Sequence, residues 1–272
     1  MLWRPDPLSG FMPLQQSDLY ARLLTALGRR VIVTDTDAAR LVRIDRGGIG
    51  WSGGGPVWRT EEREARAAFL REHGPTILTG PPADADLLRG AGYLRIARPR
   101  SRAVLSLQGA RPRGTWRRAA RDGARLGAEL RLRPFDAARD ADLLDAERAQ
   151  RRARGYRGHP AAFLQALGQI APGDVLTASA WAGRERIAGM VVICHGPSAT
   201  WQLGWSGAEG RRHAAHHRLI LMLRERLAER GIRHLDLGRI DAGATGIARF
   251  KTGSGAVPQT DAGTWVRLPF RR

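Results

Sequence analysis

Between Val175 and Leu237 the chain reads strand, strand, strand, helix, strand, and that order restricts the fold more than any other feature. Val175–Trp181, Arg186–Cys194 and Thr200–Trp205 are short, largely apolar runs separated by Gly-containing turns, the pattern of consecutive strands. His213–Arg230 spaces Leu219, Ile220, Leu223 and Leu227 at helical intervals and ends at Gly231, which predicts one long helix with a glycine C-cap. His234–Leu237 then reads as a strand. The order mixes consecutive strands with a crossover, so the expected class is α/β or α+β with a mixed sheet flanked by helices.

The remaining segments extend this pattern in both directions. Upstream, Gln16–Leu27, Glu61–His73 and Ala83–Gly90 read as helices, and Val31–Thr34, Arg40–Ile44, Thr76–Leu78 and Ala103–Leu107 as strands. Gln108–Gly114 has the composition of a linker, so the expected division is a smaller domain over residues 1–109 and a larger one over 110–272. At 272 residues, two modest domains are a natural outcome. The larger one opens with a helix at Thr115–Leu126 that carries Trp116, Ala119, Ala120 and Gly123 on one face and Arg117, Arg118, Arg121 and Arg125 opposite. A strand at Glu129–Arg133, helices near Asp136–Ala153 and Pro160–Ile170, and a last strand at Thr264–Leu268 complete the expectation. The sequence shows no convincing internal repeat.

Charge and cysteine usage narrow the partners. The formal net charge is +19, and 44 of the 45 basic residues are arginine; Lys251 is the sole lysine. Residues 1–109 hold 16 basic against 11 acidic side chains, and residues 110–272 hold 29 against 15, so the excess concentrates in the larger domain. Such a surface attracts phosphates, whether on a cofactor, a nucleotide sugar or tRNA. Cys194 is the lone cysteine, which leaves no internal disulfide and no Cys-based zinc site. No apolar run approaches the ~18 residues of a membrane span and no secretory signal is visible, so a soluble, cytoplasmic protein without membrane insertion is expected.

Several motifs invite chemistry and differ in weight. Gly48-Ile-Gly-Trp-Ser-Gly53 matches GxGxxG, and Gly50–Gly54 matches GxSxG, but no helix follows where either needs one, so a glycine-rich turn is expected. His213, His216 and His217 lack the glutamate and third ligand of a zinc site, and no metal is expected. Arg211 and Arg212 stand at the start of the long helix, where free N–H groups and guanidinium groups together form an anion site. Finally, Asp236-Leu-Gly238, a glycine-spaced loop, and Phe250-Lys251 before another glycine cluster place a lone ammonium where a planar guanidinium would not substitute for it.

These residues carry a family likeness. Asp236-Leu-Gly238 with Ala248–Ala256, the arginine-studded helix at 115–127, and Gln15-Gln-Ser17 with Gly54–Trp58 resemble the FemAB-type branch of the GNAT acyltransferase superfamily, most strongly over residues 110–266. The resemblance implies a GNAT-like domain in tandem with a shorter, degenerate GNAT-like N-terminal one. It implies an N-acyltransferase that moves an acyl group from acetyl-CoA, another acyl-CoA or an aminoacyl-tRNA onto a small-molecule or peptide amine. Phe250 and Lys251 match the family's Phe-Lys pair beside the transfer site. Gly204, Trp205 and Ser206 fall where GNAT sheets splay, and their backbone N–H groups with Lys251 are the expected oxyanion donors. Arg211 and Arg212 are the expected donor-phosphate ligands; Asp236, Asp241 and Glu209 are candidate bases. One departure concerns the pyrophosphate loop, where Arg211-Arg-His-Ala-Ala-His216 lacks the glycines of acetyl-CoA users. The rival expectation is a non-catalytic basic protein that docks RNA or an acidic partner.

Overall fold

The computed structural model describes residues 10–81, 84–109, 111–156, 158–240, 243 and 245–267. They form two compact units. The first holds Met12–Arg102, Arg239 and the chain from Pro258 onward; the second holds Ala103–Gly238 and the chain up to Val257.

In the first unit Ser17 caps α1 (Asp18–Ala26), its hydroxyl accepting from the Tyr20 N–H at 3.2 Å. β1 (Arg30–Asp35), β2 (Ala39–Arg46), β3 (Ile49–Gly53), β4 (Val57–Trp58), α2 (Arg63–His73), β5 (Ile77–Thr79), α3 (Ala85–Gly90) and β6 (Leu94–Ala97) follow. The sheet runs β1-β2-β3-β5, then the C-terminal strand Thr264–Val266, then β6, with β4 beside β2. Among the described residues of this sheet only β3 and β5 pair in parallel, and α2 lies in the crossover between them. Leu41, Leu78 and Trp265 face Phe69 and Leu70 of α2 and Leu88 of α3 in one apolar cluster. Gln16 fastens the sheet from its other side. Its Nε2 donates to the Gly53 carbonyl at 2.8 Å and to Ser52 Oγ at 3.0 Å, while its Oε1 accepts from the Val42 N–H at 2.8 Å.

Two expectations change here. The strand expected at Thr264–Leu268 within the larger domain instead pairs with β5 and β6 of the first sheet, because Trp265 completes that unit's apolar cluster; Leu268 lies outside the described residues. The glycine-rich stretch at 48–53 contributes the strand β3 as well as a turn, and the next long helix begins only at Arg63, so neither nucleotide nor nucleophile motif is formed.

The second unit is built on β7 (Ser101–Ser106), α4 (Gly114–Ala124), β8 (Glu129–Pro134), α5 (Ala141–Arg154), α6 (Ala161–Ile170), β9 (Val175–Ala182), β10 (Glu185–His195), β11 (Ser198–Ser206), α7 (Ala208–Arg212), α8 (Ala215–Glu229), β12 (His234–Ile240), α9 (Thr245–Gly253) and β13 (Val257–Thr260), although Ser101, Arg102, Arg239, Ile240 and Pro258–Thr260, at the ends of β7, β12 and β13, group with the first unit. Its strand order is β13-β7-β12-β11-β10-β9-β8. β8 to β11 are antiparallel neighbours, and β11 meets β12 in parallel after the α8 crossover. β9 and β10 are buried almost throughout, with α8 packed on both, α6 on β9 and α5 on β11. A charged knot ties the first strands to α5. The fully buried Asp140 accepts from Arg133 at 2.7 Å, Arg186 at 2.9 Å and Thr177 at 2.8 Å.

The long helix starts later than its periodicity predicts. Arg211 and Arg212 belong to the separate five-residue α7, and Ala214 turns the chain with φ 45° and ψ 39° before α8 begins. The break follows from packing against α4, where a Cβ on Gly123 would stand 2.1 Å from the His213 carbonyl oxygen. The glycine-spaced loop expected before Lys251 is in part a helix, α9.

Candidate acyl-transfer site

The site begins where a sheet stops pairing. β11 and β12 match over three residues only, Ser198 with His234, Ala199 with Leu235 and Thr200 with Asp236. At the next step β11 bulges, for Val192 faces Trp201 and Val191 faces Leu203, leaving Gln202 as the extra residue. A bulge bends and over-twists its strand. From there β11 continues along β10 alone, and a fork opens between it and β12.

Lys251, on α9, fills that fork. It is 8% exposed; its Nζ lies 5.9 Å from the centre of the Trp201 ring and 3.5 Å from where a Cβ on Gly238 would stand. Gly238 has φ +82°, and its N–H donates to Asp236 Oδ1 at 2.8 Å. The left-handed turn and the nearby ammonium together call for a residue without a side chain. Asp236 and Lys251 thus converge on Gly238 from the strand and from the helix.

Beside the fork is a cleft of about 420 Å³, walled by Trp201, Gly204, Ser206, Arg211, His217 and Phe250, with Gln150 and Arg154 of α5 at its edge. The His217 ring is held between Trp116 and Phe250, 4.9 Å from each. The Phe250 carbonyl is itself anchored by the Trp116 indole N–H at 3.1 Å.

Residues 110–252 match the family model of the acetyltransferase (GNAT) domain. The chain belongs to that family. No curated protein matches it in sequence. Among solved structures it is similar to FemX, with 12% identity, a TM-score of 0.73, and coverage of 94% of this chain and 92% of that one. It is also similar to L-PGS from Bacillus licheniformis (16% identity, TM-score 0.61, 97% and 92% covered). A third is a conserved protein of unknown function from Bacteroides thetaiotaomicron (14% identity, TM-score 0.61, 93% and 92% covered). At these identities the likeness is one of fold, and it extends over both units. Family and fold together support acyl transfer in general as the chemistry of this GNAT protein.

Within the GNAT unit the expected site residues separate. Arg211 lines the cleft, its Nη1 donating to the Ser206 carbonyl at 2.8 Å. Arg212 does not, and pairs at 3.0 Å with the exposed Glu209. Gly204, Ser206 and Phe250 line the cleft; the Gly204 carbonyl accepts from Gln150 Nε2 at 3.2 Å. Trp205 bonds through its carbonyl to His216 Nε2 at 3.1 Å and is not on the wall. Lys251 and Asp236 lie in the fork, with the Lys251 Nζ 5.9 Å from the Trp201 ring centre, and Asp241 lies outside the described residues. Trp201, Gln150 and Arg154 join the cleft beyond the expected residues, and His217, weighed in the sequence only as a metal ligand, stands on its wall. Arg154 had one signal, as the last residue before the Gly155 cap of a basic helix end.

Two histidines share the head of α8 but not a role. Burial pushes His216 down to about 4, so it stays neutral with a ring nitrogen committed to the Trp205 carbonyl. Burial also lowers His217 below the ordinary 6.5, while a hydrogen bond to the Ala214 backbone opposes the shift. A neutral imidazole that donates one N–H to a carbonyl keeps a lone pair on the other nitrogen. Just before α8, Ala214 takes a left-handed conformation without being glycine, and the His216 ring packs edge-on against Trp201. Arg154 and Arg211 are the cationic side chains on the cleft wall.

Proposed function

We propose that the protein transfers an acyl group from a phosphate-bearing carrier, an acyl-CoA or an aminoacyl-tRNA, to an amine bound in this cleft. The observation that carries the reading is the buried ammonium of Lys251 in the fork beside Phe250 and Trp201. Arg154 and Arg211 hold the carrier's phosphates by charge-assisted hydrogen bonds. As the amine nitrogen bonds to the acyl carbon, negative charge grows on the carbonyl oxygen. A fixed cation in a nearly dry fork stabilises that charge far better than water would.

The amine must also lose a proton, and His217 is the group placed to take it. Of the titratable side chains on the cleft wall, Arg154 and Arg211 hold their protons and His216 is bonded to Trp205. His217 accepts the proton as the C–N bond forms. It returns that proton to the thiolate or alkoxide of the carrier as the tetrahedral intermediate collapses, so the products are an amide and the free carrier.

The test is incubation of the full chain with acetyl-CoA and, separately, with charged tRNA against a panel of amines. Lys251→Ala is expected to lower kcat/KM by about 10²–10³ with the fold intact, and Lys251→Arg is expected not to restore it. Near-wild-type turnover by Lys251→Ala would remove the ammonium from the mechanism. Salt-sensitive RNA binding without turnover of either donor would favour a binding protein instead.

A further inference from the structure

The first unit contains its own cavity, in a place that the second unit's architecture makes meaningful. β3, α2 and β5 repeat the strand–helix–parallel-strand arrangement of β11, α8 and β12, and each parallel pair is three residues long. In sheets containing parallel strands, ligands collect beyond the carboxyl ends of the parallel strands. The GNAT cleft lies beyond the end of β11. In the first unit a cavity of about 180 Å³ includes Gly53 and Thr79, the last residues of β3 and β5.

That cavity is lined by four arginines, Arg98, Arg100, Arg102 and Arg239, against one acid. The acid, Asp261, is occupied: its Oδ1 accepts from the backbone N–H groups of Arg100 and Gly263, each at 2.9 Å. Thr79 and Thr264 face each other with their hydroxyl oxygens 3.4 Å apart. Gln15 supplies an independent sign of a binding site. Its Oε1 is buried against the cavity and, among the described residues, has no hydrogen-bond partner. Buried polar atoms are seldom left unpaired, and an amide can present either oxygen or N–H₂ to a ligand. Trp51 adds to the wall an indole whose residue is 44% exposed.

We infer that the first unit binds a phosphate ester in this cavity, with the phosphate among Arg98, Arg100, Arg102 and Arg239 and its organic part against Trp51. Guanidinium forks match phosphate oxygens in pairs, threonine hydroxyls add donors, and an exposed indole gives an apolar group a surface to rest on. The inference stands apart from the acyl-transfer reading, since none of the residues it uses lines the acyl-transfer cleft.

The experiment is calorimetric titration of the full chain carrying Arg211→Ala, which weakens the GNAT cleft as a competing anion site. The probes are inorganic phosphate and phenyl phosphate. Saturable one-to-one binding is expected, with phenyl phosphate tighter. Arg98→Ala with Arg100→Ala should weaken both probes at least about tenfold. Trp51→Ala should remove the preference for the phenyl ester while leaving phosphate unchanged. An Arg117→Ala with Arg118→Ala control, which removes the same charge from the exposed side of α4, should have little effect. Equal weakening by the control would mean diffuse attraction to a basic surface, and absence of saturable binding would mean no site; either overturns the inference.

Discussion

The two units use the same crossover and finish it differently. In the first, the Gly54 N–H goes on to bond the Thr79 carbonyl at 3.0 Å, so β3 and β5 stay joined past their last paired residues. In the second, a bulge at Gln202 parts β11 from β12 as soon as Thr200 is passed, and Lys251 occupies the gap. One unit keeps a closed pair with arginines around its end; the other gives up hydrogen bonds along one edge to hold an ammonium. The means of cohesion differ in parallel. A neutral amide, Gln16, joins the strands of the first sheet, whereas a carboxylate between two guanidinium groups, Asp140 with Arg133 and Arg186, joins those of the second.

Acid should expose this contrast most strongly. Burial lowers His195 and His216, both in the second unit, from 6.5 to about 4. The unfolded chain therefore binds more protons between those values, and the stability these neutral rings confer is complete above pH 6.5 and drains away as pH falls toward 4. The loss is up to roughly 3 kcal/mol for each ring, visible in denaturant midpoints across that range. Replacing both by Gln should flatten the second unit's dependence and leave that of the first. Next in size is Asp140→Ala. It removes the one buried acid that meets Arg186, whose side chain is 3% exposed, leaving it the half-exposed Asp142 at 3.3 Å and the Arg139 carbonyl, and should cost about 3 kcal/mol, read as lost amide protection in β8 to β10. Gln16→Ala leaves the Val42 N–H and Gly53 carbonyl without their amide partner and should cost the first unit about 1–3 kcal/mol. If the two substitutions prove equal, the ionic and neutral joints are equivalent and the contrast is only chemical. The smallest change should come from Arg212→Ala, which removes an exposed ion pair and should alter donor KM within about twofold, while Arg211→Ala raises it severalfold.

Legibility in the sequence followed the length of the hydrophobic pattern. The strands at 175–206, the core face of α4 and the amphipathic α8 follow from periods of two and 3.6 residues that nothing interrupts. β6 was hidden because Leu94 and Ile96, 63% and 60% exposed, alternate with no buried partner face on that strand. α9 was obscured by Gly246 and Gly253, poor helix residues; at Gly253 a Cβ would come 2.8 Å from the Trp116 ring. Phe250 and Lys251 could be picked out by their glycine surroundings and by rarity. His217 and Trp201 could not, since their place depends on a bulge and a helix break that single-sequence patterns do not encode. The repeated crossover was equally invisible, because a shared topology needs no shared side chains.

The position of Thr264–Val266 also sets an order of assembly. This strand lies between β5 and β6, so among the described residues β6 has no strand beside it in its sheet until Thr264–Val266 arrives. During synthesis, the first 102 residues emerge without the piece that completes their sheet, while everything up to Val257 that builds the second unit is made before that piece appears. The unit begun first is thus the later of the two to close, and its Leu78 and Tyr93 stay without Trp265 until the second unit has been made. A nascent chain of this design has a built-in interval in which a half-finished sheet must be kept from sticking to its neighbours on the same message.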